Sequence, residues 1–162
     1  MEKHGLKPMK TIAAAALLLA AGQARATGLR QAADPGNTTS KDYASSSAEA
    51  LVRRDDAKAL DLANEALKAD DRNPWAHYDR AVALGEMGRV NEAVTEYQAA
   101  QVRYAANDTW GRSVAIYGRA HLLADHGRCG EAKTAFQQYI DFVGGADPRG
   151  VAEARSASEA CP

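Results

Sequence analysis

The chain has 162 residues, 46% of them hydrophobic and 25% charged, with 20 Lys and Arg against 21 Asp and Glu. This balance, with positive residues scattered rather than gathered into a stripe, excludes a nucleic-acid binder that works by excess basic charge. Two cysteines without a nearby pair of histidines make a poor zinc set, and no metal is expected.

The N-terminus carries Lys3, Lys7 and Lys10, then an apolar run from Ile12 to Ala21, then Ala24-Arg25-Ala26. A basic segment, a short apolar core and an A-x-A site make a secretory signal peptide. The run is too short to span a bilayer, so no transmembrane segment is expected. No cysteine stands near the site, so a lipoprotein signal is not matched. Cleavage after Ala26 removes residues 1–26 and leaves 136 residues, with 16 Lys and Arg against 20 Asp and Glu. That is one exported domain with a modest core, periplasmic if the source is a Gram-negative bacterium and secreted otherwise.

Residues 27–41 are rich in Gly, Ser, Thr, Asn and Asp, and a flexible leader is expected over 27–45, with the folded domain at 46–162. Ser46 and Glu49 stand three apart as a capping box, placing the first helix at about Ala48–Arg53. A turn at Arg54 follows, and Asp56 is a natural cap for a helix over 57–69. Asn73 caps the next helix and Pro74 takes its first position, where the missing N–H costs nothing. Trp75, Tyr78 and Val82 lie on one flank of that helix, and Ala81, Leu84 and Met87 on another, so both flanks find neighbours. Gly88 ends it. A second helix carries Val90, Ala93, Val94, Tyr97 and Ala100 as one apolar stripe running to about Tyr104. Asn107-Asp108-Thr109 breaks the chain and caps a longer helix to about His126. Trp110 near its start is either a core anchor between hairpins or an exposed aromatic at the mouth of a groove. The third hairpin ends near Val143 at Gly144-Gly145. Asp147-Pro148 then repeats the Asn-Pro start signal for a last helix whose apolar positions, Val151, Ala154, Ala157 and Cys161, are nearly all small.

The stretch Tyr78, Ala81, Leu84, Gly88, Ala93, Tyr97 and Ala100 resembles the tetratricopeptide repeat, whose period is 34 residues. Ala59, Ala63 and Ala66 stand 34 residues before Ala93, Tyr97 and Ala100, in register. Downstream, GRCGEAKTAFQQY repeats GRVNEAVTEYQAA, placing Gly127, Ala132, Phe136 and Tyr139 in the roles of Gly88, Ala93, Tyr97 and Ala100. The step from Ala93 to Ala132 is five residues longer than the period, and the extra residues are placed around Tyr104–Arg112. Arg54 departs from the pattern, standing where the turn expects glycine, so a looser turn or a short opening helix is expected there. The resemblance implies an all-α fold: a short right-handed α-solenoid of about three helical hairpins, near 40–73, 74–107 and 108–143. A C-terminal capping helix over 148–161 shields the last apolar face.

In an exported chain the even count of two cysteines, Cys129 and Cys161, argues for a disulfide. His121, Asp125 and His126 lie within one helix, His121 and Asp125 as an i,i+4 pair, but the set has no further recognisable ligand. No serine sits in G-x-S-x-G and no glycine loop cradles phosphate. No catalytic residue and no cofactor is expected, and the chain reads as a non-enzyme. Function must then come from surfaces.

In tetratricopeptide arrays the first helix of each pair lines a concave face where partner segments bind. By position the resemblance assigns that groove to Trp75, Tyr78, Val82, Glu86, Tyr117, His121 and Asp125, an aromatic and apolar surface with an acidic rim. Chaperone-docking members grip a carboxylate with Lys, Asn and Arg, but the matching positions here hold Tyr78, Val82 and Tyr117, so that activity is not implied. The reading is an adaptor that binds a peptide segment of a cell-envelope protein. Two others stay open: a groove for a small molecule or cell-wall fragment, and a homo-oligomer whose groove takes its own residues 27–41.

Overall fold

Three turns of the chain share one geometry, and the architecture follows from their repetition. The structure is a computed structural model and describes residues 38–161; the expected signal peptide, and the leader as far as residue 37, lie outside the described residues. Among the described residues seven α-helices follow one another: α1 Thr38–Val52, α2 Asp56–Ala69, α3 Pro74–Glu86, α4 Val90–Arg103, α5 Thr109–Asp125, α6 Cys129–Val143 and α7 Pro148–Ala160, with a 3-10 turn at Gly144–Ala146 before the last. Each helix packs on its successor, α1 also meets α3, and α7 lies on α6 and α5. The result is an all-α, solenoid-like stack of three hairpins closed by one further helix.

At each hairpin the chain leaves its first helix through a residue in the left-handed region: Arg54 (φ 62°), Gly88 (φ 77°) and Gly127 (φ 71°). The bonds around these residues are the same each time. Arg54 N–H donates to Leu51 O and Asp55 N–H to Ala50 O, as Gly88 does to Gly85 and Arg89 to Leu84, and as Gly127 does to Ala124 and Arg128 to Leu123. This double closure satisfies carbonyls that the helix end leaves open. The first turn is therefore not looser, as its sequence suggests; it keeps the conformation and carries the strain that glycine avoids. The repeated G-R-x-x-E has its own physical content. Arg89 grips Glu92 through two bonds of 2.7 and 2.6 Å, and Arg128 grips Glu131 likewise, across the first turns of α4 and α6.

The first helix starts earlier than expected. Residues 38–45 belong to α1, and Ser46 and Glu49 lie inside it rather than forming a capping box. The reason is that α1 packs through small residues: Ser40, Ala44, Ser47 and Ala50 are its buried face. Serines read as loop formers, yet here both buried hydroxyls donate into α2, Ser40 to Ala66 O and Ser47 to Ala59 O, each at 2.8 Å. Ser40 also accepts from Asn73 Nδ2 at 2.9 Å, while Asn73 Oδ1 caps α3 by accepting from the N–H groups of Trp75 and Ala76. One buried chain of bonds thus ties the start of α1, the end of α2 and the start of α3. The cap of α2 is Asp55, one residue before the expected Asp56, accepting from Lys58 N–H.

The five extra residues divide unequally. Helix α5 has 17 residues against 13 in α3, and the loop before it is one residue longer than that before α3. Four residues add about one helical turn, so the faces of α5 stay in phase while its start projects beyond the stack.

Helix α7 is held at both ends. Asp147 caps it, accepting from Gly150 N–H at 2.9 Å and from Tyr139 Oη at 2.6 Å. At the other end Cys161 is bonded to Cys129, with Cα atoms 5.4 Å apart. Between these points its buried residues are only Gly150 and Ala154, too little apolar surface to hold a helix firmly.

Three outcomes test this account. Replacing Arg54 by Gly should raise stability by about 0.5–1 kcal/mol in urea unfolding, since relief of left-handed strain exceeds the added chain entropy; Gly88→Ala should lower it by about 1 kcal/mol. A loss in the first variant would refute the shared-turn account. Reducing Cys129–Cys161 should cost about 3–4 kcal/mol by chain entropy, with hydrogen exchange rising in α7 ahead of α3 and α4; a uniform rise would show that α7 does not depend on the bond.

Candidate interaction surface

The seven residues assigned to the groove divide between core and surface. Trp75 and Tyr78 are each 3% exposed and belong to the central core, which corrects their assignment to an open face. Trp75 meets Tyr104 edge-on at 5.1 Å and Trp110 at 5.4 Å, the latter brought over it by the extra turn of α5. Tyr78 meets Tyr97 edge-on at 5.6 Å. Tyr97 in turn lies so close to α5 that a Cβ at Gly118 would stand 2.8 Å from its ring. Trp110 answers both of its readings: it covers Trp75 and remains 40% exposed.

The other five stay nearer the surface. Val82 is half-buried against the central core. Tyr117 and His121 stand 4.4 Å apart and pack on Phe136 and Tyr139, where α7 adjoins them, and Asp125 is exposed at the end of α5. Burial pushes the Tyr117 hydroxyl up to about 12, with help from Glu153 of α7, which the sequence did not single out. Burial also pulls His121 below its ordinary value, against the opposing pull of Asp125 and Glu153. A histidine kept neutral by burial favours the folded state above its ordinary value and loses that contribution as the pH falls below it.

Two atoms of this surface are buried without a hydrogen-bond partner: Glu86 Oε1 and His121 Nε2. Glu86, at the end of α3, is 9% exposed in its side chain, and its other oxygen stands 3.9 Å from Arg54 Nη1. The position of Arg54 was legible from the 34-residue phase, but its chemistry was not, because the family pattern holds glycine there.

A second polar assembly occupies the other side of α3. His77 Nδ1 meets Glu96 Oε2 at 2.7 Å and its Nε2 meets Asp71 O at 2.9 Å, while Arg80 donates to Glu96 Oε1 at 2.5 Å. Burial raises the Glu96 carboxyl, but the bonds from His77 and Arg80 outweigh it and hold the group below its usual range. Beside this assembly an open cleft of about 640 Å³ is lined by Asp61, Asn64, Glu65, Leu67, Lys68 and Arg80. Arg80 and Val82 are two residues apart on a helix and so point to nearly opposite sides. The cleft is not part of the predicted groove.

Among the described residues no group of three or more His, Cys, Asp or Glu is placed to hold a metal ion, and no helix is long and apolar enough to cross a membrane. The Cys129–Cys161 bond suits an oxidising compartment. No protein-family model matches the sequence, and no curated protein matches it.

The depressed Glu96 carboxyl gives a pH prediction. A carboxylate held below its unfolded value stabilises the fold above about pH 4 and loses that contribution as the pH falls through the folded value. Glu96→Gln should therefore cost about 2 kcal/mol at pH 7 and much less near pH 3. A difference that stays constant between these pH values would show that the charge of Glu96 is not what holds the assembly.

Proposed function

We propose that this chain is an exported tetratricopeptide-like interaction module that holds a peptide segment of a cell-envelope protein on the face made by α1, α3 and α5. The observation that carries this reading is the Glu86 carboxylate, 9% exposed in its side chain and facing Arg54 only at 3.9 Å through Oε2, on the face that the repeat pattern assigns to binding. A buried carboxylate so weakly paired gains from a donor that reaches Oε2 at hydrogen-bond distance. On the same face Val82 and Tyr117 offer half-buried apolar surface of the kind that takes side-chain anchors. The disulfide and the signal-like first 26 residues both favour export.

The test is selection of a displayed library of random dodecapeptides on the disulfide-bonded protein, with Val82→Glu as the counter-target. Val82 is half-buried at the edge of the core, so the variant is first shown by its unfolding curve to remain folded. Peptides retained by the parent and lost from the variant support binding on this face. Peptides kept equally by both place binding elsewhere, and no enrichment at all refutes the adaptor reading.

A further inference from the structure

Among the described residues, Glu86 is the acid of the candidate surface that is both well buried and incompletely paired. Its side chain is 9% exposed, Oε1 has no hydrogen-bond partner, and Oε2 reaches Arg54 only at 3.9 Å. That separation lies at the outer limit of an ion pair and well beyond a charge-assisted hydrogen bond. The Arg54 side chain is 53% exposed, so it is only loosely held at the carboxylate. The carboxylate therefore faces a cation that fills its site in part.

The surroundings define what would fill it better. Val52, two residues before Arg54, is 50% exposed, and Met87, next to Glu86, is 47% exposed. Both are large apolar residues left open at the end of α1 and just past the end of α3, the two ends that approach each other through Arg54 and Glu86. The other nearby cations are engaged elsewhere: Arg53 with Glu49, and Arg89 with Glu92. A long basic side chain combines an apolar stem with a charged head, and such side chains lay the stem on apolar surface while the head finds its partner.

We infer that the surface selects partner segments bearing a lysine or arginine anchor, whose stem lies along Val52 and Met87 and whose head donates to Glu86 in place of Arg54. The inference rests on the proposed binding face and adds to it the chemistry of the segment. Arg54 acts as an internal competitor, and its displacement is part of binding.

The peptides selected above supply the probes. Those that bind the candidate face should be enriched in Lys or Arg, and Glu86→Gln should weaken each by at least about tenfold. Replacing the peptide's arginine by citrulline should cause the same loss, and the two changes together should cost little more than either alone. Arg54→Ala should instead tighten binding severalfold, a gain that a damaged fold would not produce. Face-specific peptides without basic enrichment, or affinities indifferent to Glu86→Gln, would overturn the anchor while leaving the binding face intact. Tighter binding absent in Arg54→Ala would overturn the competition, and failure to select any peptide would remove the binding face and the anchor together.

Discussion

The closeness of the two helices in each hairpin decides what every other part of this molecule can be. Ala59, Ala93 and Ala132 have no exposure, and they occupy equivalent positions in α2, α4 and α6. A residue larger than alanine there would push the hairpins open, since a packed interior absorbs even one extra methylene with difficulty. With that spacing set, the next position along each second helix is filled differently: Ala63, then Tyr97, then Phe136. The last two hairpins pack through aromatic rings. The first has none at these positions, and its helices are joined instead by the two buried serine bonds to α2 carbonyls. Those bonds are directional where ring packing is not, and they fix the sliding of α1 on α2 that small side chains alone leave loose.

The same close packing explains why an added turn in α5 is tolerated and what it changes. One turn preserves the phase of the helix, so Ala115, Ile116, Ala120, Leu122 and Leu123 all remain buried. The projecting start carries Trp110 onto Trp75, and Tyr104 of the preceding loop closes the other side. An aromatic that would line an open groove becomes the centre of a ring cluster. What remains at the surface on that side of α3 is its second half, Val82 and Glu86.

Elements governed by local rules were legible in the sequence. The Asn73-Pro74 start, the glycine turns at 88 and 127, the Asp147-Pro148 start and the Cys129–Cys161 pairing depend on backbone conformation, capping and count, and all are found as read. The opening of α1 was not legible, because Ser40 and Ser47 signal loops by composition and become core only through partners 26 and 12 residues away. For Trp75 and Tyr78 the repeat pattern assigns an open face, and both lie in the core. Which groups from the neighbouring hairpin cover that side depends on the length of α5, which periodicity does not encode. Val82, Glu86, Tyr117, His121 and Asp125 keep their place near the surface, though Tyr117 and His121 lean toward the last helix.

The turn at Arg54 bears on function through its cost. The chain makes the same turn twice with glycine, at Gly88 and Gly127, and the hydrogen bonds around all three are alike. The fold therefore has no need of arginine there, and left-handed backbone at a side-chain-bearing residue costs about 1–2 kcal/mol. What arginine supplies beyond the turn is a guanidinium near Glu86, and at 3.9 Å with half its surface in water that pairing returns little stability. Neither the backbone nor the ion pair offsets the strain. Strain without a structural return is characteristic of positions whose side chain acts on something other than its own fold. At this edge, that action is to occupy a carboxylate weakly enough to be displaced from it.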